Sequence, residues 1–391
     1  MANSHDVPVY KRRDGLDPVP ELGRLSVETP VFRDGAAGVY DWIVVGGEEV
    51  RAVLGDAERF STRPRRGRAD HGRPNSPPDP GNLLMYDPPE HTRLRQLLAP
   101  VFTMRRVRRM EPAVARIVAE RLDVLERAGR PADLMRHFAR PVCGLVGCAV
   151  LGMPRDDLPE LSRMADVRAA ARSPRQAAAR KAFNAYMARL IARKRRDPGD
   201  DLLGALIREH GADVTDKELE GICASVIAGE LENASEMLGL AVLALLRHPE
   251  QAAALRERPE MMPHAVEELL RYVSVVPVVS PRTALVDVPL GGEVIKAGEA
   301  VGCSVFAANR SRPPGESADG LDVSREPGRH LALGHGIHFC LGAALARMQL
   351  GIALSGLLER FPGLRLGAGP DELRFRLLAP QHGIETLPVQ W

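Results

Sequence analysis

The sequence has no uninterrupted apolar run of about 20 residues, the length a helix needs to cross a bilayer. Its first residues, Met1-Ala-Asn-Ser-His-Asp-Val-Pro-Val-Tyr-Lys-Arg-Arg-Asp, are too polar for a signal peptide or a membrane anchor, so a soluble, cytoplasmic protein is expected. There is no excess of charge: the formal net charge is +2, and nothing global points to nucleic acid. Lysine is scarce, found only at Lys11, Lys181, Lys194, Lys217 and Lys296, so the basic side is almost all arginine. The five cysteines, Cys143, Cys148, Cys223, Cys303 and Cys340, are odd in number, sit mostly in apolar runs and show no Cys-x-x-Cys pair, which argues against a disulfide framework and for a reducing compartment. No Gly/Ser linker, internal repeat or low-complexity tract divides the 391 residues, and one domain over 1–391 is expected.

Most of the chain is helical in pattern, with a small β part: a strand at Tyr40–Val45 followed by a helix at Glu48–Leu54, and a hairpin of Thr283–Val288 with Glu293–Ile295 through Gly291-Gly292. Arg63 to Pro89 is dense in Pro, Gly and Arg and reads as a long ordered loop, the kind that tends to carry function.

The most informative stretch is Leu333-Gly-His-Gly-Ile-His-Phe-Cys340-Leu-Gly342, followed by the strongly helical Ala343-Ala-Leu-Ala-Arg-Met-Gln-Leu-Gly. A cysteine placed before a helix N-terminus faces free backbone N–H groups, which favour its thiolate. Gly334, Gly336 and Gly342 lack a Cβ, which would let the backbone lie against a large planar ligand while the sulfur reaches its centre. A haem fits. Two other readings are an ordinary buried thiol and a zinc site of His335, His338 and Cys340; a structural zinc site wants four ligands, usually with paired spacing.

The run Gly-His-Gly-Ile-His-Phe-Cys-Leu-Gly-Ala-Ala-Leu-Ala-Arg resembles the haem-thiolate signature of the cytochrome P450 monooxygenases in their soluble bacterial form. Leu333 stands where the signature usually has phenylalanine. The resemblance implies the mostly α, triangular cytochrome P450 fold with a small β region, haem b (iron protoporphyrin IX) as cofactor, and Cys340 as the axial metal ligand. Within Asp87-Pro-Pro-Glu-His-Thr-Arg-Leu-Arg, His91 and Arg95 lie four apart on one helical face and match the pair that binds the haem propionates. Arg282, in Pro281-Arg-Thr-Ala, and His338 correspond to two further propionate-binding positions. Glu268-Leu-Leu-Arg271 matches the family's buried structural ion pair.

Thr215-Asp-Lys-Glu218 is a capping box opening a helix expected to run to about His248. Its middle, Gly229-Glu-Leu-Glu-Asn-Ala-Ser-Glu236, puts three acids, an amide and a hydroxyl where core residues are expected. The resemblance makes this the oxygen side of the haem. Anchored on the apolar run that follows, Glu232 falls on the family's acid and Asn233 on its threonine, whose hydroxyl normally takes part in proton delivery. Glu230 then falls where a glycine usually makes room for dioxygen; a shift of one residue restores that glycine as Gly229 and loses the acid match.

The function implied is oxidation, foremost hydroxylation, of a small organic molecule with dioxygen and two electrons from a ferredoxin and its reductase, in natural-product biosynthesis, by a monomer that needs neither membrane nor nucleic acid. Oxidative coupling, ring formation or desaturation is the alternative, and a haem protein without turnover a third reading. Arg93, Arg105, Arg106, Arg108 and Arg109 fall where an acidic ferredoxin would dock. Arg63, Arg65, Arg66, Arg68, Arg168, Arg172 and Arg175 fall by family position at the substrate entrance, suiting an anionic substrate or one tethered to an acidic acyl or peptidyl carrier protein; the alternative there is a merely solvated surface.

Overall fold

The computed structural model describes residues 7–35, 40–63, 78–169, 174–311, 320–376 and 379–391, without the side chains of 164–169, 174–176 and 370. The architecture is mostly helical. One large apolar core unites Met104–Arg127, Arg140–Leu151, Ser235–Arg247, Met262–Val273 and Ala343–Arg360. Ser235–Arg247 is buried on nearly every face, as its continuous Met-Leu-Gly-Leu-Ala-Val-Leu-Ala-Leu-Leu requires. It packs on Met262–Val273, which in turn packs on Ala343–Arg360, the helix that follows the cysteine loop.

A five-stranded sheet lies at one side, in the order Val31–Arg33, Trp42–Val44, Ala300–Cys303, Arg282–Ala284, Phe60–Ser61. Ala300–Cys303 is fully buried and runs parallel to Trp42–Val44 and antiparallel to Arg282–Ala284. The expected hairpin therefore splits. Val288–Leu290 pairs with Glu293–Ile295 around Gly291 and Gly292, both at positive φ, whereas Arg282–Ala284 joins the larger sheet and Leu285 N–H turns away to Arg59 O at 2.8 Å. A smaller sheet sets Pro388–Gln390 between Arg365–Leu366 and Ala132–Asp133.

The predicted capping box is present: Glu218 N–H donates to Thr215 Oγ1 and Thr215 N–H to Glu218 Oε2. The helix it opens is not continuous. Asp216–Ala228 gives way to a π-helical turn over Gly229–Ala234, where Ser235 N–H reaches the Glu230 carbonyl, before α-geometry resumes. A π turn inserts one extra residue into the helical repeat. One extra residue here would let two alignments one residue apart both fit, and Gly229, Glu232 and Asn233 all lie within the turn.

Glu268 and Arg271 pair bidentately at 2.7 and 2.8 Å in the interior. Arg271 also donates to the carbonyls of Asn309 and Gly320, and Glu268 accepts from Asp322 N–H at 3.0 Å, so this pair staples the Met262–Val273 helix to two distant segments.

Candidate active site

A cavity of 2870 Å³ opens between the Gly229–Ala234 turn and the cysteine loop. It is several times the roughly 300–1,000 Å³ of ordinary small-molecule pockets, large enough for a planar macrocycle together with a substrate. The loop beneath it is fixed by its own backbone: Cys340 N–H donates to Leu333 O at 2.8 Å, and Gly334 N–H to Leu331 O at 2.8 Å. Gly334 and Gly336 have φ of +77° and +68°. At Gly336 a Cβ would collide with the Leu54 carbonyl, so this glycine serves packing against the Gly47–Gly55 helix. At Gly342 a Cβ would meet nothing within 4 Å; that position faces open space.

Cys340 lines the cavity just before the Ala343–Arg360 helix. Burial pushes its thiol up, against the downward pull of the Gly342 N–H and of Arg95. The helix terminus alone therefore does not make the thiolate. A metal cation coordinated there would supply the missing charge, since a coordinating thiol is deprotonated outright.

The four cationic or donor residues picked from the sequence converge although they come from three segments. His91 and Arg95 lie on the short helix Glu90–Leu98, Arg282 on a buried strand, and His338 in the cysteine loop. The His91 and His338 rings meet edge to face at 4.5 Å. Arg95 Nη1 donates to Phe339 O at 2.7 Å, and Arg282 Nη1 to Ser280 O at 2.8 Å. Burial, then the neighbouring Arg282 and His91, pushes His338 down to about 3, and burial followed by Arg95 lowers His91. His91 Nε2 and both ring nitrogens of His338 are buried with no hydrogen-bond partner. The nearby acid, Asp87, is committed elsewhere, accepting from Ser61 Oγ, Thr62 N and Thr62 Oγ1. Orphaned donors beside two guanidinium groups suit a ligand carrying two carboxylates. The residues present thus fit a haem.

Across the cavity, Asn233 has its Oδ1 buried and unpartnered, and Glu232 Oε2 lies 3.4 Å from Gln381 Nε2. A Cβ at Gly229 would meet nothing within 4 Å, so this position faces open space. Glu230 instead packs toward Gly147 and accepts from Gln349 Nε2 at 3.0 Å, while Glu236 is buried against Arg376, Arg140 and the Ile384 N–H. Sequence reasoning flagged the three acids but not these partners, which lie more than 80 residues away.

Other partners missed are Glu267 and Arg347, the latter on the helix after Cys340, which pair at 2.5 and 2.9 Å with His330 on Glu267 at 3.1 Å. Arg93 and Arg106 of the expected docking face are ion-paired to Glu218 and Glu209, leaving Arg105, Arg108 and Arg109 exposed. Arg65, Arg66, Arg68 and Arg172 lie outside the described residues, as do the side chains of Arg168 and Arg175; Arg63 is 3.5 Å from Glu90. The resemblance implies four substrate-contact segments, Arg63 to Asn82, roughly Met164 to Lys181, Val276 to Ser280 and Ala379 to Gly383, and each lends described residues to the cavity lining: Arg63 and Pro78 to Asn82, Ala177 and Arg180, Val276 and Val278 to Ser280, and Pro380 and Gln381.

The family model described as Cytochrome P450 matches residues 161–381. Cytochrome P450 165B3 of Amycolatopsis orientalis is 43% identical over 398 aligned positions, covering 100% of both chains. Among solved structures, OxyC, a cytochrome P450 implicated in an oxidative C–C coupling reaction during vancomycin biosynthesis, is similar at a TM-score of 0.90 and 42% identity, covering 98% of this chain and 97% of that one. The complex of the X-domain and OxyB from teicoplanin biosynthesis is similar at 0.88 and 46%, covering 98% and 100%. The chain belongs to the cytochrome P450 family, and it is a monooxygenase-type oxidoreductase with haem as its cofactor.

Proposed function

We propose that the whole chain acts as one haem b-dependent oxidase domain of natural-product biosynthesis, with Cys340 as axial thiolate and His91, Arg95, Arg282 and His338 holding the propionates. The observation that carries this reading is the set of orphaned His91 and His338 nitrogens gathered with Arg95 and Arg282 at the cavity that Cys340 lines. When bound, the haem supplies activation of dioxygen, with the thiolate pushing electron density onto the iron. The protein's part is to hold it, to seat the substrate under Val276–Ser280 and Pro380–Gln381, and to deliver protons past Glu232 and Asn233. Reduced protein under carbon monoxide should show the far-shifted Soret band of a thiolate-ligated haem. Retention of that band in Cys340→Ala would sink the assignment.

For the reaction itself, ring-closing oxidative coupling on a carrier-bound peptide is the reading we favour over hydroxylation. Its supports are the likeness to OxyC, the likeness to an OxyB solved with an X-domain, the size of the cavity, and an amide in place of the usual hydroxyl at Asn233. Both reactions use one dioxygen, two electrons and two protons. Hydroxylation inserts one oxygen and releases one water, whereas coupling removes two hydrogens and releases two waters. Mass spectrometry of a peptide presented on its carrier protein separates them, and a gain of one oxygen would overturn coupling. The electrons are assigned to a ferredoxin meeting the exposed Arg105, Arg108 and Arg109, and the compartment to the cytoplasm, in keeping with five free cysteines.

A further inference from the structure

The π-helical turn carries a feature that haem binding and substrate seating leave unused. Glu230 is buried, with 7% of its surface exposed, yet among the described residues no cation acts on it. The groups nearest it are neutral, Gln349 from the helix after Cys340 and Cys143 and Gly147 from the Arg140–Leu151 helix, and at longer range the Cys340 thiolate opposes a second negative charge. A buried carboxylate without a cation is costly, whereas a neutral carboxylic acid is not. Gln349 gives the same answer independently. Its Nε2 donates to Glu230 Oε2 at 3.0 Å, while its Oε1 is buried with no donor. A protonated Glu230 supplies that donor and closes a two-way acid–amide pair. Both side chains line the same cavity as Asn233, whose Oδ1 is also buried and lacks a donor.

We propose that Glu230 is the internal proton donor of the oxygen-side cavity, oriented by the Gln349 carboxamide. The carboxyl O–H gives its proton to a water in the cavity beside Asn233. The carboxylate left behind stays hydrogen-bonded to Gln349 Nε2–H, a proton from solvent restores the acid, and no electron moves in the step. Burial raises Glu230 to about 7, which matches a proton donor working near neutrality. The chain thus replaces the missing hydroxyl relay with an acid one helical turn earlier.

This inference rests on the oxygen-side assignment above, so the test reads Glu230 by itself first. Infrared titration of the haem-loaded enzyme should show a protonated-carboxyl band that disappears with a midpoint near neutral pH and is missing in Glu230→Gln. Gln349→Met, which removes both hydrogen bonds of the pair, should shift that midpoint. With NADPH, a surrogate ferredoxin system and dioxygen alone, Glu230→Gln should lower the ratio of water to hydrogen peroxide formed at least about tenfold. Its pH profile should lose the inflection near neutrality, and Glu230→Asp should recover part of the ratio. No titrating carboxyl band, or an unmoved midpoint in Gln349→Met, overturns the acid–amide pair whatever the enzyme oxidises. An intact band with an unchanged water-to-peroxide ratio in Glu230→Gln overturns the donor role and leaves a structural acid.

Discussion

Replacing Glu230 by Gln should stabilise the protein at high pH and do little at low pH. The carboxyl rises from its ordinary 4.5 to about 7 in the folded state because burial disfavours the anion, partly offset by the Gln349 hydrogen bond. Below 4.5 both folded and unfolded chains hold the proton, and the group contributes nothing to the pH dependence. Between 4.5 and about 7 the unfolded chain has lost the proton that the folded one keeps, so stability falls as pH rises through this window. Above it the full penalty, about 3 kcal/mol, is present and constant. Glu230→Gln cannot ionise and escapes it, less about 1 kcal/mol if its amide pairs less well with Gln349. Urea unfolding of both loaded proteins from pH 4.5 to 8 gives the difference, in which all other titrating groups cancel. The variant should gain steadily with pH and level off near 2–3 kcal/mol. A difference that is flat across this range would refute a carboxyl held neutral by burial.

At the neighbouring position, Asn233→Thr should leave product yield unchanged or improved, because it restores a hydroxyl, while Asn233→Leu should raise peroxide release; a steep loss in Asn233→Thr with substrate binding intact would make the amide itself essential. Glu268→Ala strands Arg271 in the core, where only 8% of its side chain is exposed, and should cost about 3–5 kcal/mol in chemical denaturation. The triple change of Arg105, Arg108 and Arg109 to Glu should slow reduction by an acidic ferredoxin and flatten its salt dependence, with the carbon monoxide spectrum unaltered. Reduction at the wild-type rate in low salt would move the docking face elsewhere.

What the sequence makes legible is whatever depends on local chemistry. The cysteine loop, the His91/Arg95 spacing, the Glu268–Arg271 pair and the Thr215 capping box all lie within a few residues of themselves and appear where expected. The π turn is invisible because an extra residue in a helix changes hydrogen-bond register without changing side-chain type, and it shows only as an ambiguity between two alignments. The hairpin is misread for a related reason: Arg282–Ala284 and Val288–Leu290 have the same β character, and only a partner almost 20 residues on, Ala300–Cys303, tells them apart. The partners of Glu230 and Glu236 come from Gln349, Arg376 and Arg140, and nothing in an acid's own neighbourhood announces a distant amide or guanidinium. The thiol of Cys340 shows the limit of local reasoning, since the favourable helix terminus is real but smaller than the cost of burial.

The central strand Ala300–Cys303 also governs how this molecule can be assembled in time. Its pairing with Trp42–Val44 is sealed by Ala300 N–H donating to the Asp41 carboxylate, a contact between residues 259 apart. Closing so long a loop costs entropy before any packing rewards it, so contacts of this span slow folding. Helix pairs such as Met104–Arg127 with Arg140–Leu151, and Ser235–Arg247 with Met262–Val273, join nearer neighbours and can form first. Arg282 sits on the strand that docks against this late partner, whereas His91 and Arg95 belong to a short helix about a quarter of the way along the chain. One wall of the proposed propionate site therefore waits for the sheet, and a chain caught before that closure has helix pairs in place but an incomplete seat for its prosthetic group.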